Sequence, residues 1–83
     1  MAQYQVRRRI YNGGNLQSDT LLGQPTTQCL ATERLLREVG VDIDPTGLNW
    51  KYSCGTLDTT PDTKCNTQDP NSNLSRNYIV VQV

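Results

Sequence analysis

The sequence predicts a single small α+β domain, with elements in the order strand, helix, strand, long loop, strand. Three observations predict it. Two segments, residues 3–11 and 48–54, alternate apolar and polar side chains with the period of a half-buried strand. One segment between Pro25 and Gly40 has helical periodicity and punctuation at both ends. The composition is rich in uncharged polar residues: Thr, Asn, Gln and Ser make 28 of 83 positions, ten of them Thr, which suits a sheet better than a helical bundle.

In the first strand, Tyr4, Val6 and Ile10 share one face, and Gln5, Arg7, Arg9 and Tyr11 the other. Arg8 falls on the apolar side and breaks the pattern. Asn12-Gly13-Gly14-Asn15 ends the strand, because Asn and Gly accept positive φ at low cost. The helix follows Gly23-Gln24-Pro25. Pro25 suits the first turn, where its missing N–H is not needed, with Thr26 or Thr27 as the alternative N-cap. Gly40 is placed to end the helix as a left-handed residue. On the helical wheel Cys29, Ala31, Thr32, Leu35, Leu36 and Val39 form the core-facing side, and Glu33, Arg34, Arg37 and Glu38 the solvent side, with Leu30 misplaced.

Residues 48–54 put Leu48, Trp50, Tyr52 and Cys54 on one face, which predicts Trp50 and Tyr52 as core or, alternatively, as a binding platform. Residues 76–83 are apolar on both faces, as expected of an inner strand. The stretch 55–75 between these strands is polar, contains Pro61 and Pro70, and is long for a connection in a compact domain. The helix is expected to lay its Cys29, Leu36 and Val39 face on a small antiparallel or mixed sheet, one domain over residues 1–83.

A chain of this length buries only about 60–65% of the surface exposed when unfolded. Its 18 Leu, Ile and Val residues fill one modest core. The formal net charge of zero argues against a dedicated nucleic-acid binder and a basic membrane-surface peptide, which rely on a positive field. The charge is mildly split: residues 1–40 carry five Arg and three acids, residues 41–83 three basic groups and five Asp. No run approaches the roughly 18–20 apolar residues that span a bilayer, and the polar, basic first ten residues do not read as a secretory signal. No membrane association is expected.

The absence of His removes His-based acid–base catalysis, Ser-His-Asp and Cys-His arrangements, and the common zinc sites; three Cys cannot complete a four-thiolate site. Asp58, Asp62 and Asp69 share one polar stretch with nothing to fix them relative to one another. The chain therefore reads as non-enzymatic, with no cofactor and no metal implied. Asp42-Ile43-Asp44-Pro45-Thr46-Gly47 has the oxygen spacing of half a calcium loop, but Ser53 stands where a bidentate Glu belongs, so it reads as a turn. Cys29, on the apolar helix side, reads as a buried free thiol. Cys54 and Cys65 bracket a polar stretch. A disulfide there would tie a loop at its base and add about 2–3 kcal/mol; the alternative is two reduced thiols. Arg7, Arg9 and Tyr11 would project together and contact phosphate, RNA or an acidic protein surface, or else form a solvated face that blunts a strand edge.

Leu21-Leu22-Gly23-Gln24-Pro25-Thr26, leading into the amphipathic helix, resembles the helix start of the small bacterial serine-peptidase inhibitors related to potato inhibitor I. Arg76-Asn77 with the alternating residues after it resembles the strand that follows that family's loop. The resemblance implies a helix, a strand, an exposed inhibitory loop and a further strand, in a protein that inhibits rather than catalyses. This chain departs from the family in its N-terminal strand, its longer loop, the absence of the family's final strand and its unmatched loop motif. No inhibitory residue is carried over.

The reading that follows is a protein-binding module. Its contact would be the loop Leu57, Asp58, Thr59, Thr60, Pro61, Asp62, Thr63 and Lys64, an open strand edge, or both, and its partner another protein or a second copy of itself. A peptidase-inhibitor-like protein is its most specific form. The alternatives are a small structural subunit of an assembly such as a phage particle or filament, joined through residues 3–11 or 76–83, and weak nucleic-acid or phosphate binding through Arg7, Arg9 and Tyr11.

Overall fold

A computed structural model describes residues 2–44, 46–56 and 63–83, with only the backbone at 56 and 63. Five strands and one helix follow in the order β1 (Tyr4–Asn12), β2 (Asn15–Thr26), α1 (Gln28–Ile43), β3 (Lys51–Thr56), β4 (Thr63–Gln68) and β5 (Leu74–Gln82). The strands form one sheet, all neighbours antiparallel, in the order β2-β1-β5-β4-β3. One helix packs on one face of this sheet, so the α+β expectation holds, while the element order gains β2 and β4.

The two added strands were hidden for different reasons. β2 pairs with β1 through a two-residue turn in which Gly13 and Gly14 have φ of 60° and 85°, the backbone a tight hairpin needs. Its register slips twice, between Ile10 and Tyr11 and between Tyr4 and Val6 on the β1 side. Each slip breaks the period of two, so β2 shows no sustained alternation in sequence. At the second slip Gly23 takes φ of 70°, and its carbonyl accepts a 2.7 Å bond from the buried Gln5 side chain. β4 lies inside the stretch 55–75 expected as one loop. Cys65 and Thr67 face the core, and Lys64, Asn66 and Gln68 between and after them are polar and exposed.

The helix begins at Thr27, whose side-chain oxygen accepts the Leu30 N–H at 3.3 Å. Of the N-cap alternatives, Thr27 is therefore the one used, and Pro25 belongs to β2, where an edge strand tolerates its missing N–H. Gly40 does not end the helix, which runs to Ile43 with Asp44 as its C-cap. The reason is burial: Ala31, Leu35, Val39 and Asp42 form one continuous stripe, and Asp42 is fully buried. A glycine inside a helix costs about 1 kcal/mol, less than anchoring that last turn returns.

This stripe is narrower than the wheel suggested. Cys29 is exposed, not a buried thiol, and Leu36 is 52% exposed. At 100° per residue Cys29 lies about 160° and Leu36 about 140° around from Ala31, beyond what a single flat sheet covers. The core comprises Val6, Ala31, Leu35, Val39, Cys65, Tyr78 and Val80, with Tyr4, Leu22 and Ile43 against it.

β5 is an inner strand, as its two-sided apolar pattern required, paired with β1 and β4. β1 is also paired on both sides. Residues 3–11 and 76–83 therefore offer no free edge for assembly, and Arg7 and Arg9 do not guard one. The free edges are β2 and β3. β3 starts at Lys51, later than the alternation from 48 implied. Trp50 is only partly covered, and Tyr52 is 60% exposed, because the helical stripe ends over β4 and β5 and leaves β3 uncovered.

Leu35 and Leu36 separate the two readings of the helix. Leu35→Ala is expected to cost about 3 kcal/mol and Leu36→Ala less than about 1 kcal/mol in urea denaturation; equal losses would mean that the helix is seated differently.

Candidate functional site

The helix terminus meets the sheet at a buried polar cluster. Asp42 accepts hydrogen bonds from Thr67 Oγ1 at 2.8 Å, Tyr78 Oη at 2.7 Å and Arg76 Nη1 at 2.6 Å. Thr67 pairs with Arg76 across β4 and β5, and Cys65 with Tyr78 in the next row of that face, so the three donors are neighbours by register. Arg76 also lies over the Trp50 ring, 4.8 Å from its centroid, while the Trp50 N–H donates to the Asp42 carbonyl at 2.8 Å. Burial, with the Asp42 carboxylate beside it, pushes the Tyr78 phenol up to about 12. Both Asp42 oxygens are used within the chain, although the buried Arg76 Nε has no hydrogen-bond partner, and the cluster reads as a joint between helix and sheet. The stretch that resembles half a calcium loop is spent in the same way: Asp42 points inward, and Asp44 accepts from the Thr46 N–H and hydroxyl at 2.8 and 2.6 Å.

The second feature is the β3–β4 hairpin. Cys54 and Cys65 are direct cross-strand partners and are joined by a disulfide. β3 has side chains exposed from Lys51 to Gly55 and little core beneath it, so the covalent tie sits where burial contributes least. Of the predicted contact loop, Lys64 is an exposed β4 residue and Thr63 starts that strand; Leu57, Asp58, Thr59, Thr60, Pro61 and Asp62 lie outside the described residues.

The third feature is the sheet face opposite the helix. Register puts its side chains in rows across the strands. One row runs Ser53, Asn66, Asn77, Arg9, Asp19; the next Lys51, Gln68, Ser75, Tyr11, Leu16; a third Gly55, Lys64, Ile79, Arg7, Leu21. The expected projection of Arg7, Arg9 and Tyr11 from one face is thus what the sheet has. Asp19 binds Arg7 through two contacts of 2.7 and 2.6 Å and reaches Arg9 Nε at only 3.4 Å. The Arg7 hydrogen bonds hold the Asp19 carboxyl below its usual range and raise Arg7 in return. Lys51, Ser53, Asn66, Gln68, Ser75 and Asn77 line an open groove of about 340 Å³ on this face.

Sequence alternation put Arg7, Arg9 and Tyr11 on one strand face, and the spacing of Cys54 and Cys65 left a disulfide and two reduced thiols as alternatives. Sequence reasoning missed Asp42, Thr67, Arg76 and Tyr78, whose only local hint is that Asp42 stands three residues after Val39 on the buried stripe. Asp19, Asn66 and Asn77 gain meaning only from the register. Among the described residues, no three Cys, Asp or Glu side chains gather as a metal-holding group, and no helix is long and apolar enough to cross a membrane. No protein-family model matches the sequence, and comparison with curated proteins and with solved structures returns no significant match.

The Tyr78 phenol makes stability fall on the alkaline side. Its contribution is complete below the ordinary tyrosine value of about 10 and is lost as pH rises through the folded value, on the order of 2–3 kcal/mol in all. Denaturation midpoints at pH 9 and pH 11.5 should therefore diverge in the natural protein and much less in Tyr78→Phe. Asp42→Ala, which strips three donors of their acceptor, is expected to cost about 3 kcal/mol at pH 7 by the same measurement.

Proposed function

We propose that the protein is a non-enzymatic protein-binding module that presents its β3–β4 hairpin, and the free edge of β3, to a partner protein. The observation that carries this reading is the Cys54–Cys65 disulfide across the outermost hairpin. A covalent tie is of most use where packing is weakest, and here it joins the two strands that flank residues 57–62. The two edges of the sheet also differ. β2 is broken by two register slips and by Pro25, the usual devices that discourage strand addition. β3 keeps an unbroken register over six residues and contains no proline. An extended peptide adding to β3 would gain main-chain hydrogen bonds along it.

In its most specific form this is a peptidase-inhibitor-like protein, in keeping with the resemblance of residues 21–26 and 76–77 to the potato inhibitor I relatives. The partner is then a serine peptidase, and the segment 57–62 enters its cleft. A second reading, a small structural subunit of an assembly such as a phage particle or filament, is favoured by the same β3 edge, which could pair with β3 of another copy.

Incubation with a panel of serine peptidases tests the first form: stoichiometric inhibition is expected, with the segment intact after hours. Cys54→Ser/Cys65→Ser is expected to lose about 2–3 kcal/mol of stability and to be cut within 57–62. Rapid cleavage of the natural protein without inhibition discards the inhibitor form. Light scattering separates the second reading, for which a strict monomer at millimolar concentration is the contrary result.

A further inference from the structure

We propose that the open face of the sheet is a binding site for single-stranded nucleic acid. The formal charge of the chain is zero, but the fold sorts it. Arg7, Arg9, Lys64 and Lys51 all belong to the open face, by their register positions on β1, β4 and β3. The sole carboxylate among the described residues of that face is Asp19. It binds Arg7 at two points and also pairs with Arg9 at 3.4 Å, so the described part of the face holds four cations against one carboxylate. Glu33, Glu38, Asp42 and Asp44 belong to the helix and its C-cap, behind the sheet, where Arg8, Arg34, Arg37 and Arg76 offset them, and Asp69 belongs to the β4–β5 turn, where its oxygens are engaged by Asn71 and Ser72. A positive field over one face arises without any net charge on the molecule.

The other side chains of the face choose the kind of polyanion. Tyr11 stands in the row with Ser75, Gln68 and Lys51, an aromatic group beside a small residue and two hydrogen-bonding ones. Asn66 and Asn77 are direct cross-strand partners, next to Arg9 in the same row. Amide side chains carry both donors and acceptors and match the edges of unpaired bases. An aromatic ring accepts a stacked base, and guanidinium and ammonium groups take the phosphates. Strands about 4.8 Å apart and rows about 7 Å apart along a strand spread these groups in two dimensions, as splayed bases on a backbone require. Among the described residues no helix projects from this face to enter a duplex groove, so paired strands expose only their phosphates to it. An acidic peptide would use the cations but leave Tyr11, Asn66 and Asn77 without a role.

Fluorescence anisotropy with a labelled mixed-sequence twelve-nucleotide single strand, the matching duplex, and poly-glutamate tests this on the full chain. Binding of the single strand is expected at 25 mM salt, at least tenfold tighter than duplex or poly-glutamate. Its log–log salt slope should be near −2, as about three phosphate contacts give for a single strand. Arg9→Gln/Lys51→Gln should weaken it at least tenfold and flatten the slope by more than one. Tyr11→Ala should weaken it about tenfold with the slope unchanged, and Tyr11→Phe should restore it. Asp19→Asn should tighten it, and Arg37→Gln, on the helix, should leave it unaltered; far-ultraviolet circular dichroism checks that each variant is folded. Equal affinity for the duplex or for poly-glutamate would overturn the proposal in favour of unspecific charge or an acidic protein partner. So would equal affinity of Tyr11→Ala and the natural chain, or no binding at 100 μM protein.

Discussion

A carboxylate in a nearly dry interior must be surrounded by donors or the fold does not form. Asp42 is that group here. It sits on the last turn of α1 and is satisfied by Thr67 from β4 and by Arg76 and Tyr78 from β5. Three consequences follow. The helix is carried through Gly40 to Ile43, because stopping earlier would strand the donors. The helix end is fixed over β4 and β5, so the apolar stripe beneath Ala31, Leu35 and Val39 has one seat. The Asp42 carbonyl takes the Trp50 N–H, which sets where the chain turns back toward β3. The apolar core of this small domain supplies the bulk of the driving force, but it is non-directional; the polar cluster supplies the register.

With one helix and five strands, only one face of the sheet and only part of its width are covered. β1, β5 and β4 lie beneath the helix stripe, and β3 extends beyond it. That geometry accounts for Tyr52 and for the disulfide at the same time. The ring projects from the helix side of β3 and stays largely exposed, and the hairpin gains from a covalent bond the restraint it cannot gain from burial. Compartment enters through the same bond, since a cytosol keeps most thiols reduced and an oxidising environment does not.

The uncovered face shows how charge is distributed, which composition does not specify. A net charge is a sum over the molecule, whereas a partner meets one side of it. Strand alternation sends Arg7 and Arg9 to one side and Arg8 to the other, where Arg8 Nε is buried without a hydrogen-bond partner. The helix and its C-cap carry four acids behind the sheet. Arg8, Arg34, Arg37 and Arg76 offset them there, while the described open face holds four cations against one carboxylate.

Features set by neighbours in the chain were legible from residues alone: the alternation of β1, the Gly13-Gly14 turn, a helix in the middle of the chain and the inner character of β5. They depend on backbone preference and on periods of two and 3.6, which act over a few residues. Tertiary structure decided the rest. β2 became a strand because β1 offers it partners despite two slips in register; β4 did so because β3 and β5 flank it; Asp42 went inward because residues 25, 34 and 36 positions later supply its donors. These outcomes turn on contacts between distant residues, and hydrogen-bond partners brought together only by the closed sheet leave no periodic trace in the segments that hold them.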